Sequence, residues 1–80
     1  MQAYNKPKFN GMRLDLCVDR SVGCGQPAAK KYCQRNGWAT ADSYVVPNTI
    51  GSYGPTRLIG TGAVCDQNFC DGFQKIVCKN

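Results

Sequence analysis

The chain contains no histidine and no glutamate. General acid–base chemistry near neutral pH draws on histidine, or on a carboxylate or lysine tuned by burial. Without histidine, Ser-His-Asp and Cys-His arrangements are impossible. The only acidic side chains are Asp15, Asp19, Asp42, Asp66 and Asp71. Asp15 falls on the outward face of a predicted strand, and Asp42, Asp66 and Asp71 fall where turns favour aspartate. A carboxylate pair for glycoside chemistry would also need a substrate pocket of about 300 Å³ or more, which so short a chain seldom forms. The sequence thus points away from an enzyme and requires no cofactor.

Other absences narrow the field further. No apolar run approaches the roughly eighteen residues of a membrane span, so no span is expected. There is no C-x-x-C pair, and no histidine to complete a structural zinc site, so no metal is expected. Asp66-Gln67-Asn68-Phe69-Cys70-Asp71 offers oxygen ligands but lacks the closing glutamate of a calcium loop, and turn chemistry accounts for it. Gly60-Thr61-Gly62 matches no phosphate-binding glycine motif and reads as a strand bulge. No N-x-[ST] sequon occurs. Met1 to Lys6 lacks the apolar stretch of a signal peptide, which fits the mature form of a secreted protein.

Six cysteines in 80 residues are abundant by comparison. Cys17, Cys24, Cys33, Cys65, Cys70 and Cys78 are separated by six, eight, thirty-one, four and seven residues. An even number in so short a chain points to disulfides and an oxidising, extracellular compartment. The physical need is clear. Below about 80 residues a hydrophobic core rarely supplies more than about 3–5 kcal/mol, and each disulfide adds about 2–4 kcal/mol. Six cysteines allow fifteen pairings. Cys33, on a predicted helix, is expected to reach a strand rather than Cys24, and bridges joining residues 17–33 to residues 65–78 would remove the most unfolded-state entropy. Every bridge is accordingly expected to join residues 17–33 to residues 65–78, although the short loop between Cys65 and Cys70 also reads as clamped by those two cysteines.

The expected fold class is α+β: a small antiparallel β-sheet with one short helix, stapled by disulfides. Residues 1–11 read as a flexible arm or edge strand ending in an Asn10-Gly11 turn, and residues 12–80 as a single disulfide-rich domain. Met12 to Val18 alternates apolar and polar, which predicts one half-buried strand. Pro27 suits the first turn of a helix, and Asn36-Gly37 supplies a left-handed stop, so residues 27–36 are the predicted helix. Ala29, Tyr32, Cys33 and Asn36 share one side of it; Lys30, Lys31, Gln34 and Arg35 share the other. Trp38–Val46, then Thr56–Ile59 continuing through a bulge or bend at Gly60 and Gly62 into Ala63–Cys65, and then Phe73–Cys78 read as three further strands, in the order β-α-β-β-β.

Ten lysines and arginines against five aspartates give a net charge of +5. Such a surplus favours encounter with anionic surfaces, although many small secreted proteins are basic for solubility alone. The candidate anion-binding residues are Lys30, Lys31 and Arg35 on the helix, supported by Lys6, Lys8 and Lys75, with Arg13 and Arg20 as further cations. The helix is too short, and its apolar side too committed to the core, for membrane insertion. A competing site is aromatic: Trp38, Tyr44 and Tyr53 are candidates for stacking on sugar rings. Trp38, directly after Gly37, equally suits packing beneath the helix end, and Tyr53 between serine and glycine suits exposure. A third possibility is a protease-inhibitor loop at Ile50–Arg57 with Arg57 as its specificity residue.

Leu14-Asp15-Leu16-Cys17, Cys24-Gly25-Gln26-Pro27-Ala28-Ala29 with Tyr32-Cys33, Pro55-Thr56-Arg57-Leu58-Ile59-Gly60, and Gly72-Phe73 with Ile76 and Cys78 form a pattern over residues 12–78. The pattern, C-x6-C-G-x-P-A-A-x-x-[FY]-C in its central part, resembles small cysteine-rich secreted proteins of plants and some microbes. That resemblance carries no established activity and no assigned residue. Plant defence peptides share the size, charge and disulfide density but not this cysteine spacing. The expectation is a secreted, monomeric, cationic protein of host-defence, antimicrobial type. Its partner would be an anionic microbial surface or cell-wall polysaccharide, with no specific nucleic acid. A carbohydrate-binding module, a protease inhibitor and a secreted effector or signal are the alternatives.

Overall fold

The computed structural model describes residues 1–19, 22–47, 55–66 and 70–80. The chain begins by pairing its two ends. Gln2–Asn5 (β1) lies antiparallel to Lys75–Lys79 (β9), with Gln2 opposite Cys78 and Asn5 opposite Lys75. Residues 1–11 therefore hold a sheet edge in β1. Lys8–Phe9 (β2) then turns through Asn10 and Gly11, both at positive φ (51° and 84°), into Met12–Leu14 (β3). With Phe9 facing Met12, this is the two-residue hairpin that Asn-Gly favours, because both central residues must be left-handed.

The single strand expected over Met12–Val18 is broken. Leu14 ends β3, Asp15 forms only an isolated bridge with Gly72, and Cys17–Asp19 (β4) starts a new hairpin with Val22–Cys24 (β5). The break follows from Asp15. Its carboxylate is buried rather than outward: Oδ1 accepts the Cys17 N–H (2.9 Å), and Oδ2 accepts the hydroxyl of the fully buried Thr56. Bending the backbone onto its own side chain in this way competes with a continuous ladder.

Gln26–Arg35 (α1) matches the predicted helix to within one residue at each end. Ala28, Ala29, Tyr32 and Cys33 are its buried face. Asn36 and Gly37 (φ 87°) close it as expected: the Asn36 and Gly37 N–H groups bond Cys33 and Gln34 carbonyls, and Asn36 Nδ2 donates to the Tyr32 carbonyl (2.8 Å). Thr40–Val45 (β6) returns antiparallel to β9, with a register shift between Ala41 and Ser43. Thr56–Arg57 (β7) pairs in parallel with β3 and antiparallel with Val64–Cys65 (β8).

Among the described residues the architecture is one helix and three small sheets, ordered β1-β9-β6, β2-β3-β7-β8 and β4-β5. It is dominated by sheet, and the β3–β7 pair makes it mixed where a wholly antiparallel sheet was expected. Leu14, Tyr32, Ile59, Phe73 and Ile76 form the centre of the core. Along β9, Ile76 and Cys78 are buried and alternate with Lys75, Val77 and Lys79 on the other face.

All six cysteines are bridged: Cys17–Cys24, Cys33–Cys78 and Cys65–Cys70. Cys33 does reach a strand, bonding Cys78 on β9, and it is the one cysteine of residues 17–33 bridged to residues 65–78. The other two bridges are local, contrary to the expectation that every bridge would join residues 17–33 to residues 65–78. Geometry decides the matter over entropy. Cys17 and Cys24 are directly opposed in the β4–β5 register, and a bridge forms only between cysteines whose Cα atoms fold within about 7 Å.

Candidate functional site

On a helix successive residues are about 100° apart. Burial of Ala28, Ala29, Tyr32 and Cys33 therefore turns Lys30, Lys31, Gln34 and Arg35 outward, and all four are exposed. Lys31 and Arg35 are one turn apart on the same side, with Gln34 between them. Lys30 points roughly 100° away from Lys31. None of Lys30, Lys31 and Arg35 has a carboxylate partner among the described residues; Lys79, by contrast, pairs with Asp42 at 3.2 Å.

The turn after β7 comes alongside this face. Gly60 donates its N–H to the Val18 carbonyl (2.8 Å), which docks the turn on β4. A Cβ at Gly60 would lie 2.6 Å from both the Val18 carbonyl oxygen and its Cγ1, so only glycine permits this approach. The result is an open cleft of about 340 Å³ lined by Lys31, Gln34, Arg35, Ile59 and Gly60. The Arg35 guanidinium also lies over the ring of Phe9, 4.9 Å from its centroid. This contact fixes one face of the guanidinium and leaves its edge free. Gln34 Nε2 donates to the Ala39 carbonyl (3.2 Å), which leaves Oε1 as an acceptor. Arg35 also sits in the last turn of α1, where a cation complements the helix dipole.

The other expected cations lie elsewhere. Lys75 is on the face of β9 opposite to Ile76 and Cys78, away from α1. Lys6 joins it at that end of the sheet, its N–H bonded to the Gln74 carbonyl (2.8 Å). Lys8 is exposed on β2, opposite Arg13. The structure thus brings Lys31 and Arg35 together, keeps Lys30 on the same helix, and places Lys8 on β2, Lys75 on β9 and Lys6 between β1 and β2. Arg20 lies outside the described residues. Arg13 is turned to structure, its Nη2 donating to the Phe73 carbonyl (2.7 Å).

The aromatic candidates are held by packing. Trp38 is half-buried against the core and donates Nε1–H to the Tyr4 hydroxyl (3.1 Å). Tyr44 packs edge-on against Phe73 (5.5 Å between centroids), its hydroxyl so close to Gly25 that a Cβ there would sit 2.6 Å from it. Tyr53 lies outside the described residues, as does most of the Ile50–Arg57 loop. Arg57 itself is half-buried rather than projecting: Nη1 donates to the Gly62 carbonyl at 3.1 Å, and Nη2 lies 4.0 Å from Met12 Sδ. In the core, burial first and the neighbouring Tyr4 second push the Tyr32 phenol above its usual value; the Tyr4 and Tyr32 rings meet edge-on at 5.4 Å.

The residues missed by sequence reasoning are Phe9, Ile59 and Gly60, which come from distant segments and carry no local signal of a shared cleft. Gln34 was legible as an outward neighbour of Lys31 and Arg35 but not as a wall. Among the described residues no helix is long and apolar enough to cross a membrane, and no group of three or more metal-ligating side chains is gathered.

The fold and this face define a small, cysteine-rich, disulfide-stapled domain with an arginine–lysine cleft. No protein-family model, no curated protein and no solved structure matches the chain.

Proposed function

We propose that this is a secreted cationic protein of host-defence type that binds anionic microbial surfaces through the outward face of α1. One observation carries this reading: Lys30, Lys31 and Arg35 are exposed on one rigid helix, without a carboxylate partner among the described residues, beside an open cleft. Three disulfides in 80 residues are typical of extracellular proteins. They support secretion, and the Cys33–Cys78 bridge holds the helix on the sheet. Because α1 spends its apolar side on the core, the protein acts as a rigid folded body led by charge. An aromatic sugar platform is less well supported, since Trp38 is half-buried and hydrogen-bonded to Tyr4, and Tyr44, though 37% exposed, sets one edge against Phe73.

Growth inhibition of several fungi and bacteria, measured across a salt series, tests the proposal. Inhibition is expected at low salt and is expected to weaken as salt rises, since exposed charges are screened over about 8–10 Å near physiological ionic strength. Absence of inhibition at low salt against the whole panel would overturn it.

A further inference from the structure

We infer that the cleft between α1 and the Ile59-Gly60 turn receives one carboxylated sugar unit, a uronic acid residue of an acidic polysaccharide; this rests on the anionic-surface reading above and gives it a ligand. The chemistry of each wall selects that class. Arg35 and Lys31 supply donors for an anion from one side of α1, and among the described residues no acid lines the cleft to oppose them. The Arg35 guanidinium, already laid on the Phe9 ring, presents a planar fork whose two N–H groups match a carboxylate. Less side-chain freedom is lost on binding than from a fully mobile arginine.

Gln34 separates a sugar from a bare anion. One amide N–H is used by the Ala39 carbonyl; beside the second N–H, Oε1 offers the cleft an acceptor. A sulfate or phosphodiester has no donor for it, whereas a sugar hydroxyl does. Ile59, 5% exposed, adds only a small apolar edge to the lining. Gly60 leaves the opposite wall bare, its missing side chain being required by the Val18 contact behind it. At about 340 Å³ the cleft lies at the small end of ligand sites, roughly 300–1,000 Å³. It accepts one ring, with the polymer running out through its open ends.

The test titrates the disulfide-intact protein with a short galacturonic acid oligomer and, separately, with its methyl ester, at physiological ionic strength. Affinity is read by calorimetry and contacts by amide chemical shifts. The free acid is expected to bind saturably, with shifts centred on Lys31, Gln34, Arg35 and Gly60. The ester is expected to bind at least about tenfold more weakly, as is Arg35→Gln with the free acid. The double variant Lys6→Gln, Lys75→Gln removes more charge than Arg35→Gln from elsewhere and is expected to bind within about twofold of the parent. Equal binding of acid and ester overturns the inference, as do shifts centred on Lys6 and Lys75 or displacement by inorganic sulfate at equal anion concentration. The acid–ester comparison needs no variant, so a misfolded Arg35→Gln does not blunt it. If the oligomer fails to bind while salt-sensitive adsorption to microbial cells persists, the uronate inference falls alone; if adsorption is absent as well, the broader reading falls with it.

Discussion

Cys33 on α1 and Cys78 on β9 are disulfide-bonded across 45 residues of sequence, and both side chains are fully buried. This bridge fixes the helix to the central strand of the β1-β9-β6 sheet. The other two close separations of seven and five residues. The chain-entropy account assigns about 4 kcal/mol to the long closure and about 2 kcal/mol to each short one. Replacing Cys33 and Cys78 together by serine is expected to lower stability in denaturant unfolding by about twice as much as the same replacement of Cys17 and Cys24.

Access orders the same bonds differently from an all-or-none loss. Cys24 is exposed and Cys17 half-buried, whereas Cys33 and Cys78 are fully buried. Thiol attack requires an accessible sulfur. Limited reduction followed by alkylation and peptide mass mapping is expected to label Cys17 and Cys24 first, and Cys33 and Cys78 only as the protein unfolds. Simultaneous labelling of all six would contradict this.

Asp15 ties β3 to β7 through Thr56 while also holding the Cys17 N–H. Asp15→Ala leaves two donors in the interior without their acceptor, at about 1–3 kcal/mol each. A loss of about 3 kcal/mol is expected, with Thr56→Val costing less. A double-mutant cycle between them is expected to show a coupling of about 1 kcal/mol or more. Additivity of the two substitutions would remove Asp15 from this role.

Tyr32 gives a pH dependence with a definite sign. Its phenol is raised in the folded state by burial and by Tyr4, so the unfolded chain releases that proton first. Its contribution to stability is complete below the ordinary tyrosine value near 10 and is lost as pH rises from there through the folded value. Tyr32→Phe is expected to flatten the fall in stability above about pH 10. An unchanged alkaline slope would show that Tyr32 does not carry it.

Local signals in the sequence carried α1, its Asn36-Gly37 stop and the Asn10-Gly11 turn, because each is decided by the φ preferences of one or two residues. The Met12–Val18 alternation misled because a buried carboxylate satisfied by its own backbone resembles an outward polar position. Leu14 is buried as the period predicts, yet Asp15 is buried beside it. The disulfide pairing, the parallel β3–β7 contact and the cleft depend on tertiary approach. The outward cations of α1 were legible from helical periodicity. That Phe9 lies beneath Arg35, and that Gly60 faces Lys31, was not, since those partners come from distant segments.

The direct measurement of whether α1 leads recognition compares two triple variants that lower the net charge of +5 equally: Lys30→Gln, Lys31→Gln, Arg35→Gln, and Lys6→Gln, Lys8→Gln, Lys75→Gln. Adsorption of each to intact microbial cells at low salt is measured against the parent, after thermal unfolding confirms that both are folded. The helix variant is expected to lose most of its adsorption and the other to keep most of it. Equal losses would mean that net charge alone drives binding, and that the face of α1 has no special part in it.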